Sequence, residues 1–76
     1  MRELVDFIAR SLVDDPDSVR VRAHERDRET FIELEVGQPD LGKVIGRQGR
    51  TARAIRTLLQ AAGQKGRRRY SLDILD

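Results

Sequence analysis

The spacing of apolar residues changes along this chain, and that change of period limits the possible fold more than any other feature. In some segments apolar residues recur every three or four positions, as on one face of a helix, and in others they alternate with polar residues, as in a half-buried strand. The predicted order is α-β-β-α-α-β, which indicates an α+β fold. The predicted helices span residues 3–13, 41–45 and 50–62, and the predicted strands span residues 18–25, 30–36 and 67–75.

The same patterns predict the core and the connections. Residues 26–29 are a polar turn between two alternating strands, which predicts an antiparallel hairpin. Residues 63–66 are expected to form a loop that ends the predicted helix 50–62. The side chains expected to face inward are Leu4, Val5, Phe7, Ile8, Leu12, Val19, Val21, Ala23, Ile32, Leu34, Val36, Ile55, Leu59, Ala62, Tyr70, Leu72 and Ile74.

The length and composition exclude several classes of protein. A chain of 76 residues has room for one small domain, which we expect to span residues 1–76. It has no cysteine, which excludes disulfides, thiolate catalysis and cysteine-based zinc sites. It has no apolar run near the roughly 18 residues of a membrane span, and no signal-peptide core follows Met1. A cytoplasmic location is therefore expected.

The polar residues do not form a pattern typical of enzymes. His24 is the only histidine and lies on the polar side of a predicted strand, and no serine lies in a nucleophile-elbow context. The acids at positions 14, 15 and 17 surround Pro16 and favour a turn, because they lack the spacing and glycine of a calcium loop. We expect no catalytic residue, no metal site and no cofactor.

The charges are divided unevenly between the two halves of the chain. Residues 1–40 carry six arginines and eleven acids, whereas residues 41–76 carry seven arginines, two lysines and two acids, although the net charge is only +2. Such asymmetry favours binding of a polyanion by the second half. The alternative is that both halves lie on one compact body and partly screen each other.

Two glycines, Gly46 and Gly49, enclose Arg47 and Gln48 between two predicted helices. Without a Cβ atom, glycines permit a tight turn and the close approach of a nucleic-acid backbone. The first amides of the following helix and its dipole favour a phosphate at the same place. The alternative is a plain connection between helices in which glycine serves as a C-cap.

The context of these glycines resembles the signature of KH domains, whose loop clamps about four single-stranded nucleotides. The stretch LGKVIGRQGRTARAIRTLL, residues 41–59, is similar to the KhpA family of small stand-alone bacterial RNA-binding proteins. The predicted element order matches the type II KH topology over essentially the whole chain. That topology implies three helices on one face of a three-stranded mixed sheet. Ala52 stands where many KH domains carry a branched apolar residue, which implies a shallower groove wall.

The resemblance implies a non-catalytic protein that binds single-stranded RNA, as a post-transcriptional regulator or RNA chaperone. The Gly-x-x-Gly loop would hold phosphates, and Val44 and Ile45 would face the bases, with one of these two in the core. The strand from Arg67 would form the other side of the groove. The expected RNA-binding residues are Lys43, Val44, Ile45, Gly46, Arg47, Gln48, Gly49, Arg50 and Arg53.

The predicted helix 50–62 carries more apolar surface than packing on a sheet requires. Ala54, Leu58 and Ala61 are left over on one side, while Arg53, Arg56 and Gln60 fall on the polar arc. These leftover residues predict a homodimer interface, and the resemblance implies self-association and pairing with a larger Jag-type KH protein. The alternative function is therefore a protein-interaction or dimerisation module with a degenerate groove.

Overall fold

The computed structural model describes the whole chain, Met1 to Asp76, and has the predicted order of helices and strands. Short 3₁₀ turns precede β1, α2 and α3. No helix has both the length and the apolar character needed to cross a membrane. The helices are α1 (Arg2–Leu12), α2 (Leu41–Ile45) and α3 (Arg50–Lys65), and the strands are β1 (Arg20–Arg26), β2 (Glu29–Glu35) and β3 (Arg69–Ile74).

The sheet has the strand order β1-β2-β3, which the sequence alone did not provide. β1 and β2 form the predicted antiparallel hairpin. β2 and β3 pair in parallel, with Ile32 opposite Leu72, so the sheet is mixed as predicted. Parallel neighbours need a long crossover, which α2 and α3 supply. Because α3 and β3 run in opposite directions, the start of α3 lies beside the end of β3.

One hydrophobic core joins the three helices to one face of the sheet. Ile32 and Leu34 of β2 lie at its centre, and Val5, Ile55 and Leu59 cover them from the helices. The opposite face of the sheet is polar, apart from the exposed ring of Phe31. The predicted α+β fold with helices on one face of a mixed sheet is therefore confirmed.

The predicted inward face of α1 was partly wrong. Phe7 was expected in the core but is 69% exposed, and Leu4 and Leu12 lie at the exposed margin. The buried stripe instead runs through Val5 and Ala9 and continues to Val13, beyond the helix. Its residues are four positions apart, so Phe7 falls about 160° away from Ala9 on the helical wheel. Ala9 packs closely there because its side chain is small.

The predicted burial of Ala23 was also wrong. β1 is an edge strand, and Ala23 is exposed beside the first turn of α1, where Met1, Arg2 and Glu3 line an open depression. Val21, one pleat earlier on the same face, is only partly buried against the core.

The predicted end of the long helix at Ala62 was wrong, because α3 continues to Lys65 with Gly63 buried inside it. A Cβ atom on Gly63 would collide with the carbonyl oxygen of Arg68 and lie 3.0 Å from the ring of Tyr70. The glycine therefore allows α3 to approach β3 closely, and the chain turns only after Lys65.

Candidate nucleic-acid interface

The loop between α2 and α3 requires glycine at its first position for two reasons. Gly46 has φ 78° and ψ 169°, a conformation that is essentially restricted to glycine. A Cβ atom there would also collide with the side chain and backbone of Thr51. Gly46 thus allows the chain to leave α2 directly against the first turn of α3.

Gly49 has a different role in the same loop. Its φ of 74° lies in the left-handed region, but a Cβ atom there would meet no atom within 4 Å. Gln48, with φ 58°, is also left-handed although it carries a side chain. The two residues turn the side chains of Arg47 and Gln48 into solvent, where both are exposed. The open space beside Gly49 lets a ligand approach the backbone.

The donors at the start of α3 are fewer than the sequence suggested. The amide of Gly49 donates to the Gly46 carbonyl at 3.1 Å, and the amide of Arg50 donates to the Arg47 carbonyl. No side chain caps α3, and the guanidinium of Arg50 donates to Oε1 of Gln48 at 3.2 Å. The amides of Gly49 and Arg50 are therefore engaged within the loop, so fewer amides than expected are available to a phosphate at the start of α3.

A groove of about 530 Å³ lies beside the loop, between α3 and the end of β3. Ala52 forms its buried floor, and Ile45 and Ile74 supply half-buried aliphatic walls. The small side chain of Ala52 leaves room for a planar group between these walls. The lining residues are Ile45, Gly49, Ala52, Arg53, Arg56, Asp73 and Ile74.

Of the two aliphatic residues before the loop, only Ile45 reaches this groove. Val44 is 0% exposed and belongs to the core, which agrees with the expectation that one of these two residues is a core residue and leaves Val44 without access to bases. The two residues are neighbours on the short helix α2, and α2 packs one side against the core. Ile45 alone is the aliphatic contact contributed by this helix.

Lys43 does not lie in the groove either. Its ammonium group donates to Asp14 at 3.0 Å and to Asp40 at 3.1 Å. The hydrogen bond that Lys43 donates to Asp14, followed by the one that it donates to Asp40, raises the pKa of Lys43. The hydrogen bond from Lys43 lowers the pKa of the buried Asp40 carboxyl, against the opposing effect of burial. These two acids neutralise Lys43, which corrects the expectation that it attracts phosphate.

The sequence placed Arg56 and Gln60 on the outward polar arc of α3 and gave Asp73 no role. In the structure, the Arg56 guanidinium donates twice to the Leu72 carbonyl, at 3.3 and 3.1 Å. Gln60 donates to the Tyr70 carbonyl at 2.7 Å. Both contacts tie α3 to β3, and their only sequence signal was the spacing 56–60 on one helix face. Asp73 is the single acid that lines the groove, and it lies opposite the two arginines of the groove, Arg53 and Arg56.

The predicted dimer residues lie together on the outer surface of α3. Ala54, Leu58 and Ala61 are exposed, and Leu58 retains 53% of its accessible surface. Ile55 and Leu59, assigned to the sheet side, are buried as expected. The outward apolar strip is thus separate from the groove.

The topology and the glycine loop define a type II KH domain, and comparisons with known proteins agree. A family model described as "KhpA/KhpB, KH domain" matches residues 2–74. A protein named "RNA-binding protein KhpA" from Borreliella burgdorferi is 54% identical over 97% of this chain and 90% of its own length. A protein of the same name from Halalkalibacterium halodurans is 53% identical over 100% of this chain and 100% of its own length. Another from Aquifex aeolicus is 47% identical over 100% of this chain and 96% of its own length. No solved structure matches the chain.

The chain therefore belongs to the KhpA/KhpB family of KH domains. This family is non-catalytic, and membership in it confirms the expectation that the chain is not an enzyme.

Proposed function

We propose that this chain acts as a single domain, residues 1–76, that binds single-stranded RNA in the cytoplasm. The carrying observation is the groove beside the Gly-x-x-Gly loop, where aliphatic walls meet the unpaired guanidinium group of Arg53. Bases would lie between Ile45 and Ile74, over Ala52. The names of the relatives, RNA-binding protein KhpA, support RNA as the ligand.

The charges around the groove suit a phosphate backbone. Arg47 and Arg53 make no ion pair and no side-chain hydrogen bond, so their guanidinium groups are free to contact phosphate. Arg50 needs only to release Gln48 to do the same. In this proposal Asp73 faces the bases, because a carboxylate repels phosphate but accepts a hydrogen bond from an exocyclic amino group.

The test of the phosphate cradle is the double substitution Arg47→Asp with Gln48→Asp. Both side chains are exposed and make no core contact, so the fold should be unchanged by circular dichroism. Each charge-assisted bond lost costs about 1.5–3 kcal/mol, which is about tenfold or more in affinity. Binding of short single-stranded RNA, measured by fluorescence anisotropy, should fall below detection.

A matched control keeps the total charge change the same. Arg2→Asp with Arg22→Gln alters two exposed arginines outside the groove that form no ion pairs. This control should bind RNA nearly as the wild type does. The groove assignment is wrong if both double variants lose affinity equally, or if the loop variant binds normally.

Regulation of RNA after transcription, or chaperoning of its folding, is the cellular role that we propose for such binding. A small non-catalytic groove can hold a strand open without cutting it. Acceleration of annealing between complementary RNA strands, lost in the loop variant, would support the chaperone role. Unchanged annealing rates would exclude it.

A second proposal is that the chain forms a homodimer through the outer strip of α3. The exposure of Leu58 between Ala54 and Ala61 favours it, because the small neighbours allow two such helices to approach in a two-fold contact. The same strip is the proposed contact with a larger Jag-type KH protein. A dimer would leave the groove accessible.

Light scattering after size exclusion tests the dimer. Ala61→Glu should yield monomers, whereas Gln64→Glu, which adds the same charge outside the strip on the same helix, should leave the dimer intact. A wild-type monomer at high micromolar concentration would end the proposal, and so would a dimer that tolerates Ala61→Glu. In either case the strip would be a surface rich in alanine because alanine is a strong helix former.

A further inference from the structure

A second group of positive side chains lies at the far end of α3 from the glycine loop. One part is the hairpin turn between β1 and β2, and the other is the turn from α3 into β3. The amide of Arg69 donates to the Arg28 carbonyl at 2.8 Å and joins the two turns. The 16 residues of α3 place this group about 24 Å from the loop. We define the far arginine patch as Arg26, Arg28, Arg67, Arg68 and Arg69.

Most of these arginines have no partner in the protein. Arg68 alone is engaged, with Glu25 at 3.4 Å and the hydroxyl of Thr30 at 2.8 Å. The other four form no ion pair and no side-chain hydrogen bond. Asp27 and Glu29 lie among them without neutralising any one by contact, so the patch keeps a net positive charge.

The surface between the arginines is concave and is lined by no apolar residue. A depression of about 260 Å³ is lined by Arg28, Gly66, Arg67 and Arg68, and none of its lining residues is apolar. Another of about 270 Å³ adjoins it and is also lined without apolar residues. Protein interfaces are built around an apolar centre with a polar rim, which this surface lacks. Planar guanidinium groups around an open polar depression instead suit phosphate.

The backbone of Arg67 adopts an unfavourable conformation for a residue that carries a side chain. The amide of Arg68 donates to the Gly63 carbonyl at 2.9 Å and that of Arg67 to Gln64 at 3.2 Å, which is the Schellman ending of a helix. In that motif the left-handed residue is usually glycine, yet here it is Arg67, with φ 52°. Gly66, one position earlier, has an ordinary φ of −92°. Strained residues of this kind cluster at functional sites.

Interaction with the helix dipole does not explain the patch. A positive charge after the last turn of α3 is favourable, and it would account for Lys65 and Arg67. It does not account for Arg26 and Arg28, which the parallel pairing of β2 with β3 brings to the same end of the molecule.

We propose that the far arginine patch is a second phosphate-binding surface, which holds the RNA backbone outside the groove. Arg53, Arg56 and Gln60 recur at spacings of three and four along α3 and mark the path from the groove towards the patch. The inference rests on the proposed function for its ligand. About four nucleotides fill a KH groove, so an RNA that contacts both surfaces must be longer.

The experiment compares random-sequence single-stranded oligoribonucleotides of about four nucleotides, the length that a KH groove holds, with ones about three times as long. The test variant is Arg28→Gln with Arg67→Gly, and the control is Arg20→Gln with Arg22→Gln on β1, which removes the same charge. We expect the test variant to weaken binding of the long probe by about tenfold and to leave the short probe unchanged. The slope of log affinity against log salt for the long probe should become shallower by about 1.4, at about 0.7 per phosphate contact.

A second measurement separates charge from folding. Arg67→Gly alone places glycine at the left-handed position, so its melting temperature should rise while its affinity for the long probe falls. A variant that is more stable and binds less cannot have lost binding through unfolding.

Each remaining outcome decides a separate question. Equal loss for short and long probes, equal loss in the control, or no loss for the long probe would overturn the patch. If the wild type binds only the long probe and loses it with Arg28→Gln and Arg67→Gly, the groove proposal fails and the patch stands. If the wild type binds neither probe, both fail.

Discussion

Gly46 and Gly49 differ in what a side chain would meet, so we expect their alanine variants to differ in stability. Gly46→Ala introduces both a glycine-only conformation, at about 1–3 kcal/mol, and a collision with Thr51. Gly49→Ala introduces only a left-handed alanine with open space around it, at about 1–2 kcal/mol. Urea denaturation should show the larger loss for Gly46→Ala, and Gly49→Asn should lose least.

The reverse order would mean that Thr51 moves aside freely. Circular dichroism of each variant before denaturation shows whether α3 still forms, so that a local change in the loop is not mistaken for global unfolding.

Asp40 provides a prediction about acid stability. Its carboxylate accepts hydrogen bonds from the Asp15 amide and from Lys43, both at 3.1 Å, and the Lys43 contact holds its pKa below the ordinary value of about 3.9. A carboxyl group whose pKa is lower in the folded state than in the unfolded state stabilises the fold at pH values above its unfolded-state pKa. This stabilisation is lost as the pH falls through the folded-state pKa. The free energy of unfolding should therefore fall below about pH 4 in the wild type.

Asp40→Asn should be less stable at neutral pH and should lose less on acidification. Asp17→Asn, which removes a nearby carboxylate without a cation partner, is the control for the loss of one acidic side chain. Parallel profiles for wild type and Asp40→Asn would show that the contact with Lys43 has no net effect. The measurement is urea denaturation at a series of pH values.

The residue-level errors of sequence reasoning have one physical cause. Lys43 looked like a free cation because Asp14, one of its two acidic partners, lies 29 positions away and is recruited only when the chain folds, although its other partner, Asp40, is only three positions away. Val44 and Ile45 looked equivalent, since a five-residue helix does not show which side meets the core. The loop itself was predictable, because the backbone conformations at Gly46 and Gly49 are local.

At the scale of elements, α3 yields a prediction that opposes helix propensity. Alanine is about 1 kcal/mol more favourable than glycine inside a helix, so propensity alone predicts that Gly63→Ala stabilises α3. The collision with the Arg68 carbonyl involves backbone that cannot rotate away, and overpacking of this kind costs about 1–3 kcal/mol. We expect a net loss of stability and a lower melting temperature.

Gly66→Ala is the matched control for that change. Gly66 has φ −92° and no atom within 4 Å of a Cβ position, so alanine there should be neutral or stabilising by up to about 1 kcal/mol. Stabilisation by Gly63→Ala would mean that α3 and β3 are less tightly packed than the structure indicates.

Gly63 also explains why the sequence misplaced the end of α3. The segment Gly-Gln-Lys-Gly has the composition of a loop. The sequence alone does not distinguish a glycine that ends a helix from a glycine inside a helix that allows a neighbouring strand to pack closely. The other elements were predicted to within a few residues because their apolar period is a local property. The inward face of α1 was displaced because Leu4 and Leu12 recur at nearly the same helical spacing as Val5, whereas Phe7 lies on the opposite side, about 160° from Ala9.

At the scale of the whole molecule, topology converts the charge asymmetry of the sequence into two surfaces. The order of elements predicted the fold class, whereas the strand order depends on contacts between β2 and β3, which lie more than thirty residues apart. That parallel pairing places the loop at one end of α3 and the far arginine patch at the other. The basic half of the chain thus runs along α3 from the loop to the patch, where the hairpin turn of the other half adds Arg26 and Arg28.

This arrangement predicts weak, salt-sensitive binding of short RNA with modest base preference. Arg47 and Arg50 at the loop and Arg53 in the groove can each neutralise one phosphate, and each contact on a single strand contributes about −0.7 to the slope of log affinity against log salt. The expected slope for an oligonucleotide of about four residues is therefore about −2. Arg53→Gln should make it shallower by one contact, while Arg22→Gln on the sheet's outer face should not change it. A slope near zero with tight binding at high salt would show that aliphatic contacts with the bases, rather than phosphate contacts, dominate the affinity.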